Sequence, residues 1–212
     1  MIILFDLDGT LIDSTEAILE SFHNSYNVHK EKHPSDEDIK ELIGHPLDVM
    51  FKELGIDETK VWEFVTTYKE HYREISTLKT LLLPHAKEAI EAASKIAELG
   101  IVTTKTGKYS QVLMEHFGLM DYFKVLIGRE HVENPKPHEE PILKALESFD
   151  VENHNNIWMI GDTEMDLIAA KNAKINSVGV TCGYGTADAL KVHTEHICKN
   201  SLEAIMYLKD TQ

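Results

Sequence analysis

Two aspartates spaced two residues apart are the first residues in the chain whose types could do chemistry. Asp6 and Asp8 come directly after the apolar run from Met1 to Phe5. Carboxylates held together at the end of a buried strand repel each other, and a divalent cation offsets that repulsion. Oxygen ligands suit Mg²⁺, and Gly9 allows a tight turn beside the ligand. The alternative is that both aspartates are turn or capping residues, which are common after strands.

A second acidic group follows another apolar run, Ile157 to Ile160. The segment from Gly161 to Asp166 contains Asp162 and Asp166 and again lies where a core strand should end. We expect Asp162 to supply a further oxygen to the same cation and Asp166 to act on it through a water molecule. Two structural alternatives stay open, namely Asp162 as the N-cap of the next helix and Asp166 in a comparable structural role.

Two further residues could hold an anion beside these acids. Thr103 ends the run Ile101-Val102, and its hydroxyl could donate to a phosphoryl oxygen, although threonine at a strand end is common. Lys136 stands between two prolines that keep its backbone extended. An ammonium aimed at an acidic cluster would balance it and bind an anion. The alternative is a solvated surface lysine.

Short apolar runs recur along the chain and alternate with helical patterns. A run without polar alternation is typical of a parallel strand that is covered on both faces. Strands that alternate with helices indicate βαβ units with right-handed crossovers. The sequence therefore predicts an α/β fold with a Rossmann-like three-layer core around a parallel sheet. The predicted strands are Ile2–Leu4, Ile101–Val102, Val125–Ile127, Ile157–Ile160 and Val178–Val180.

One long segment interrupts this alternation. From about Ser14 to about Lys79 the pattern predicts four helical stretches and no strand. Helices inserted at the carboxyl end of a strand would lie over the crevice where open α/β sheets bind ligands. We therefore expect a helical cap domain at residues 15–79 that selects the substrate, and a catalytic core at residues 1–14 and 80–212. The alternative is that these helices belong to the core.

The amino-acid composition limits the classes of molecule that the protein is expected to bind. The formal net charge of −15 on 212 residues disfavours nucleic acid and membrane surfaces as partners. Cys182 and Cys198 are too few for a disulfide framework, and no apolar run approaches the length of a membrane span. No signal peptide is visible, so a cytoplasmic location is expected. The sequence leaves open whether the chain is a monomer or a homodimer.

Taken in chain order, these residues resemble the four motifs of the haloacid dehalogenase-like hydrolase superfamily. The first motif is Asp-Leu-Asp-Gly-Thr-Leu at residues 6–11, the second is Thr103, the third is Lys136 and the fourth is residues 161–166. The resemblance covers nearly the whole chain, with the helical insertion in the family's usual position between the first two motifs. Four motifs in the right order are a specific signal.

The resemblance implies a phosphoryl transfer reaction. Asp6 would attack a phosphate monoester in line and form an aspartyl-phosphate. Asp8 would protonate the leaving alkoxide and then deprotonate water. The ligands of Mg²⁺ would be the Asp6 carboxylate, the Asp8 backbone carbonyl and Asp162. Thr103 and Lys136 would contact the remaining charge of the phosphoryl group. The dehalogenase branch lacks an acid at the position of Asp8, so dehalogenation is not expected.

Within the superfamily, the chain looks most like phosphoglycolate phosphatases and their relatives. Residues 43–47, 134–138, 169–173 and 179–185 carry this likeness. The family's usual Pro-Gly is Pro84-His85 here, and its usual Ala-Gly is Ala173-Lys174. The resemblance implies Mg²⁺-dependent hydrolysis of a small phosphorylated metabolite such as phosphoglycolate. The alternatives are a 5′-nucleotidase, a pyrophosphatase, a sugar-phosphate phosphatase, a phosphomutase of the β-phosphoglucomutase type, or a non-catalytic phosphometabolite-binding protein.

Four residues are candidates for contact with the substrate. Gly44 and His45 stand in the insertion loop that is expected to enter the site, although an exposed histidine often has no role. Thr104 and Lys105 follow the second motif. The backbone N–H groups of Leu7 and Thr104 are candidate donors to a phosphoryl oxygen.

Overall fold

The computed structural model describes residues 1–151 and 154–211, and its strands form one large and one small sheet. The strands are β1 (Ile2–Phe5), β2 (Ile12–Asp13), β3 (Leu81–Leu82), β4 (Glu98–Val102), β5 (Phe123–Ile127), β6 (Ile157–Gly161), β7 (Asn176–Val180) and β8 (Ile197–Cys198). The large sheet has the order β5-β4-β1-β6-β7-β8 and all its pairings are parallel, whereas β2 pairs with β3.

Helices lie between most of these strands and after the last one. The first four are α1 (Thr15–His29), α2 (Asp36–Glu41), α3 (Leu47–Glu53) and α4 (Val61–Lys79). The others are α5 (Ala86–Ala93), α6 (Gly107–His116), α7 (Glu140–Leu146), α8 (Glu164–Asn172), α9 (Ala187–Leu190) and α10 (Ser201–Asp210). Within the described ranges, no helix has both the length and the apolar character needed to cross a bilayer.

The large sheet is buried on both faces. Alternate residues of β1 enter two different apolar clusters, since Ile3 and Phe5 pack with α5 and α10 while Ile2 and Leu4 pack with α7 and α8. This is why the strand reads as an uninterrupted apolar run. The predicted α/β fold, with a Rossmann-like three-layer core around a parallel sheet, is confirmed.

The central position of β1 explains where the acids lie. Phe5 pairs with Ile101 of β4 on one side and with Ile160 of β6 on the other. The Asp6 N–H continues this pairing by donating to the Ile160 carbonyl at 3.0 Å. The residues that follow these three strands therefore emerge side by side at one edge of the sheet.

The chain divides into two compact units. The core unit contains Met1–Asp13 and Leu82–Gln212, and the helical unit contains Ser14–Leu81. These boundaries lie one and two residues from those expected from the sequence. The helical unit consists of α1 to α4 and has its own aromatic cluster. Phe22 and Phe51 have ring centroids 4.5 Å apart, and Tyr26 meets Phe64 edge-on at 5.4 Å.

Candidate active site

Three buried carboxylates converge at the carboxyl edge of the sheet. Asp6 follows β1, Asp162 follows β6, and Asp166 is in the first turn of α8. One oxygen from each lies within 4.8 Å of the others, and all three residues are buried. The structure thus places the predicted acids of the first and fourth motifs together.

Lys136 reaches into this acidic trio from the loop before α7. Its Nζ lies 3.0 Å from Asp6 Oδ1 and 2.5 Å from Asp166 Oδ1, and it donates to the Val102 carbonyl at 2.9 Å. The residue is only 3% exposed, so it is not the solvated surface lysine of the alternative interpretation. Burial lowers its pKa, but the Asp166 and Asp6 carboxylates outweigh that effect and the net shift is upward. Lys136 therefore stays charged.

One ammonium does not neutralise three carboxylates. Among the described residues, Lys136 is the only cation in ion-pair contact with the trio. Burial raises the pKa of Asp6 to about 6, against the attraction of Lys136 and with a contribution from Asp166. Burial also raises the pKa of Asp162 well above its usual range, helped by Asp166 and Asp6. When all three carboxylates are ionised, two negative charges remain uncompensated, and this excess and the all-oxygen donor set fit a divalent cation such as Mg²⁺.

The Asp162 carboxylate is fixed by two neutral donors. Thr10 Oγ1 donates to Oδ1 at 2.9 Å, and the Tyr184 N–H donates to Oδ2 at 2.8 Å. Space for this carboxylate depends on two glycines, because a Cβ at either Gly9 or Gly183 would overlap it. Gly9 also has φ +82°, a conformation that residues with a Cβ rarely adopt.

Asp166 combines a structural role with its place in the trio. The N-cap of α8 is Thr163, so the alternative assignment of Asp162 to that position is wrong. The Thr163 N–H and hydroxyl both donate to Asp166 Oδ2, at 3.0 and 2.7 Å, and complete a capping box. This capping role was the rival interpretation of Asp166, and Lys136 occupies its other oxygen.

The second carboxylate of the first motif lies beside a different lysine. Lys105 Nζ donates to Asp8 Oδ2 at 2.9 Å, and both side chains are about one-tenth exposed. The Lys105 N–H in turn donates to Thr103 Oγ1 at 3.2 Å, and Thr103 is buried at the end of β4. The second motif, with Thr104 between these two residues, is therefore next to Asp8. Solvent reaches this ion pair more than it reaches the trio.

The remaining two candidates belong to the helical unit. Gly44 and His45 form the turn between α2 and α3, where Gly44 has φ +107° and the His45 N–H donates to the Leu42 carbonyl at 3.0 Å. Both residues are half-buried. Their contact with a substrate stays a prediction.

Several partners at the site carry no clear sequence signal. Thr10 and Tyr184 hold Asp162, yet neither follows a core strand directly. Cys182 Sγ donates to the Gly9 carbonyl at 3.3 Å, and burial with the nearby Asp162 charge raises its pKa to about 11. It therefore stays a thiol at neutral pH. The available hints were the first motif, which includes Thr10, and the glycine-rich segment at residues 179–185, which includes Tyr184.

Comparison with known proteins agrees with this geometry. The family model for haloacid dehalogenase-like hydrolases matches residues 3–180. The pyrophosphatase PpaX of Bacillus cereus is 33% identical over an alignment of 183 residues that covers 84% of this chain and 82% of that protein. A haloacid dehalogenase-like family hydrolase from Streptococcus pneumoniae has a TM-score of 0.86 at 27% identity, covering 97% of each chain.

A third similar protein is a crystal structure from Haemophilus somnus described as a predicted phosphoglycolate phosphatase. Its TM-score is 0.88 at 26% identity, and the match covers 100% of this chain and 97% of that one. Both the fold and the family expected from the four motifs are confirmed. The chain belongs to the haloacid dehalogenase-like hydrolases and is a phosphatase of that family.

Proposed function

We propose that this phosphatase is Mg²⁺-dependent and hydrolyses a compact phosphate through an aspartyl-phosphate on Asp6. The observation that carries the proposal is the buried trio of Asp6, Asp162 and Asp166 with Lys136 inside it. Such an arrangement costs stability unless a cation completes it. Phosphoryl transfer needs mainly this positioning and charge compensation.

Asp6 is the proposed nucleophile. Its carboxylate oxygen bonds to phosphorus while the bond from phosphorus to the leaving oxygen breaks, which yields the acyl-phosphate. Water then attacks that phosphorus and releases inorganic phosphate with Asp6 regenerated. Lys136 keeps Asp6 ionised and turned toward the site, because its ammonium contacts the carboxylate directly.

Asp8 is the proposed acid and base. It donates a proton to the leaving oxygen in the first step and takes one from the attacking water in the second. Lys105 orients this carboxylate through their ion pair, which is why we assign Lys105 a positioning role as well as substrate contact. Thr103 and the backbone N–H groups of Leu7 and Thr104 are the proposed donors to phosphoryl oxygens.

Asp6, Asp162 and the backbone carbonyl of Asp8 are the proposed ligands of Mg²⁺, and Asp166 would act through a water molecule. The bound cation would neutralise charge on the phosphoryl oxygens. Asp162 is suited to this role because Thr10 and Tyr184 fix its orientation without neutralising it.

Two compact phosphates are the leading candidate substrates. Phosphoglycolate or a similar small monoester follows from the sequence motifs, and the structural similarity to the Haemophilus somnus protein supports it. Pyrophosphate is the second candidate, and the 33% identity to PpaX favours it. Nucleotides, hexose phosphates and a phosphomutase reaction are the remaining alternatives, with Gly44 and His45 proposed to select among substrates.

The deciding experiment measures kcat/KM for phosphoglycolate, pyrophosphate, nucleotides and hexose phosphates with Mg²⁺ and after chelation. We expect a compact phosphate to lead the panel and chelation to stop turnover. Asp6→Asn should lower kcat by about 10⁴-fold or more, since the nucleophile is gone. Asp121→Asn, at an exposed acid of the core unit, is the matched control and should retain full activity. Turnover that survives exhaustive chelation, or an active Asp6→Asn variant, would refute the mechanism.

A further inference from the structure

Two histidines of the helical unit meet through their Nδ1 atoms. His23 is on α1, and His33 is in the segment between α1 and α2. The Nδ1 atoms are 2.9 Å apart, the ring centroids are 5.1 Å apart and the ring planes differ by 15°. The centroid separation equals this contact plus two ring radii, so the rings lie edge to edge in nearly one plane. Their Nδ1 lone-pair positions point at each other.

Both outer nitrogens of this imidazole pair are already committed as donors. His23 Nε2 lies 2.7 Å from Asp36 Oδ1, and His33 Nε2 lies 3.0 Å from Asn27 Oδ1. A carboxylate or carbonyl oxygen only accepts, so each Nε2 carries the hydrogen. A neutral imidazole with its hydrogen on Nε2 has a bare Nδ1. Two bare lone pairs at this distance repel unless a cation lies between them.

We propose that His23 and His33 bind a divalent transition metal ion, such as Zn²⁺, Ni²⁺ or Cu²⁺, through their Nδ1 atoms. Imidazole nitrogen suits these ions and not Mg²⁺. Two Zn–N bonds at a tetrahedral angle place the nitrogens about 3.3 Å apart, so the nitrogens must separate by about 0.4 Å and the rings must tilt until both lone pairs point at the ion. His33 can move because it is exposed and lies outside any helix or strand. Water would complete the coordination.

The surroundings of the imidazole pair favour a metal. Asp36 and Asn27 would orient the two ligands in the way that hydrogen-bonded oxygens commonly orient metal-binding histidines. The first turn of α2 carries Asp36, Glu37 and Asp38, which together attract cations. The His23 and Asp36 side chains are 30% and 49% exposed, so an ion reaches the site from solvent. Once bound, it would tie the α1–α2 connection to α1.

This imidazole pair is separate from the acidic trio in chemistry and in location. The trio offers carboxylate oxygens in the core unit, whereas the pair offers nitrogens in the helical unit. Millimolar Mg²⁺ should therefore occupy the acidic trio and leave the imidazole pair free for a transition metal ion. Two other arrangements would satisfy the lone pairs without a metal. One is a single proton shared by the rings, and the other is an Asn27 amide turned so that its Nδ2 donates to His33.

The test is Zn²⁺ binding to the full chain by equilibrium dialysis in millimolar Mg²⁺. We expect one Zn²⁺ per chain that is lost in His23→Ala and in His33→Ala. Asp36→Asn should weaken it by about 10- to 100-fold, since that carboxylate orients His23. His116→Ala, at an exposed histidine of the core unit, is the control and should bind like the parent. Unchanged Zn²⁺ binding in both alanine variants would overturn the proposal.

A second measurement does not depend on how the variants fold. In ¹⁵N spectra of the parent protein, Zn²⁺ should shift the Nδ1 resonances of both histidines and leave their Nε2 resonances protonated. The proposal fails if Zn²⁺ leaves the spectra unchanged and they show either a proton shared by the two rings or His33 with its hydrogen on Nδ1. Either result would mean that the two Nδ1 atoms are satisfied without a metal.

Discussion

Lys136 is the residue on which the charge balance of the site depends. Replacing it by methionine keeps most of the volume and leaves three buried carboxylates without a cation. We expect Lys136→Met to lower the free energy of unfolding by about 3–5 kcal/mol in chelator, the usual cost of breaking a buried ion pair from one side. Turnover should be lost as well. Urea denaturation of the chelated protein gives the stability.

The matched control for that variant is an exposed ion pair of the same chemistry. Lys124 contacts Glu98 at 2.6 Å, with both side chains about half exposed. Lys124→Met should change stability by less than about 1 kcal/mol, because water screens such pairs. Equal losses in the two variants would mean that Lys136 does not compensate buried charge.

The raised pKa of Asp6 predicts an unusual pH dependence in the cation-free protein. Burial raises this pKa to about 6 from 3.8. Between those values the folded chain keeps a proton that the unfolded chain releases, so the free energy of unfolding falls as pH rises. The loss from Asp6 amounts to about 3 kcal/mol and is complete above pH about 7. Denaturation curves from pH 4 to 8 in chelator measure it.

Asp6→Asn provides the reference for this pH effect, because asparagine does not titrate and the other groups remain. The difference in stability between parent and variant should shift in favour of the variant as pH rises from 4 to 7. Mg²⁺ should reverse the trend in the parent, since a bound cation favours the ionised carboxylate. Parallel curves for the two proteins in chelator would exclude an elevated pKa at Asp6.

At the scale of elements, the sequence predicted the strands that contain an apolar run. β1, β4, β5, β6 and β7 each contain such a run, and the placement of the acids after β1 and β6 followed from strand geometry. β8 has two residues and β2 and β3 have two each, which is too short for any periodicity. The Lys105–Asp8 ion pair was also out of reach, because it depends on how two loops approach each other. The contacts of Thr10 and Tyr184 with Asp162 were missed for the same reason.

Gly183, in the loop after β7, leaves the space that the Asp162 carboxylate occupies. A Cβ at Gly183 would overlap the Asp162 carboxylate, so Gly183→Ala must displace that side chain. We expect Mg²⁺-dependent activity to fall by about 10²-fold or more, with little change in helix content. Gly118→Ala is the control. It introduces strain at φ +69° and has open space around it, so it should cost about 1 kcal/mol of stability and no activity. Full activity of Gly183→Ala would show that Asp162 does not need its present position.

At the scale of the whole molecule, the presence of two units with separate cores implies that substrate selection and catalysis are carried out by different units. The core unit contains every group that we assign to the chemistry, whereas Gly44 and His45 belong to the helical unit. Substrate choice and phosphoryl transfer should therefore be separable by substitution. Such a division allows one core to act on different substrates in related proteins.

His45→Ala tests that division. We expect KM for the preferred compact phosphate to rise by about tenfold, the cost of one lost polar contact, with kcat changed much less. Hydrolysis of para-nitrophenyl phosphate should be unaffected, because that substrate lacks the carboxylate or hydroxyl that His45 is proposed to contact. His154→Ala, at an exposed histidine of the core unit, should leave both reactions as they are. If His45→Ala slowed both substrates equally through kcat, the helical unit would be acting on the chemical step, and selection would have to be sought elsewhere in residues 14–81.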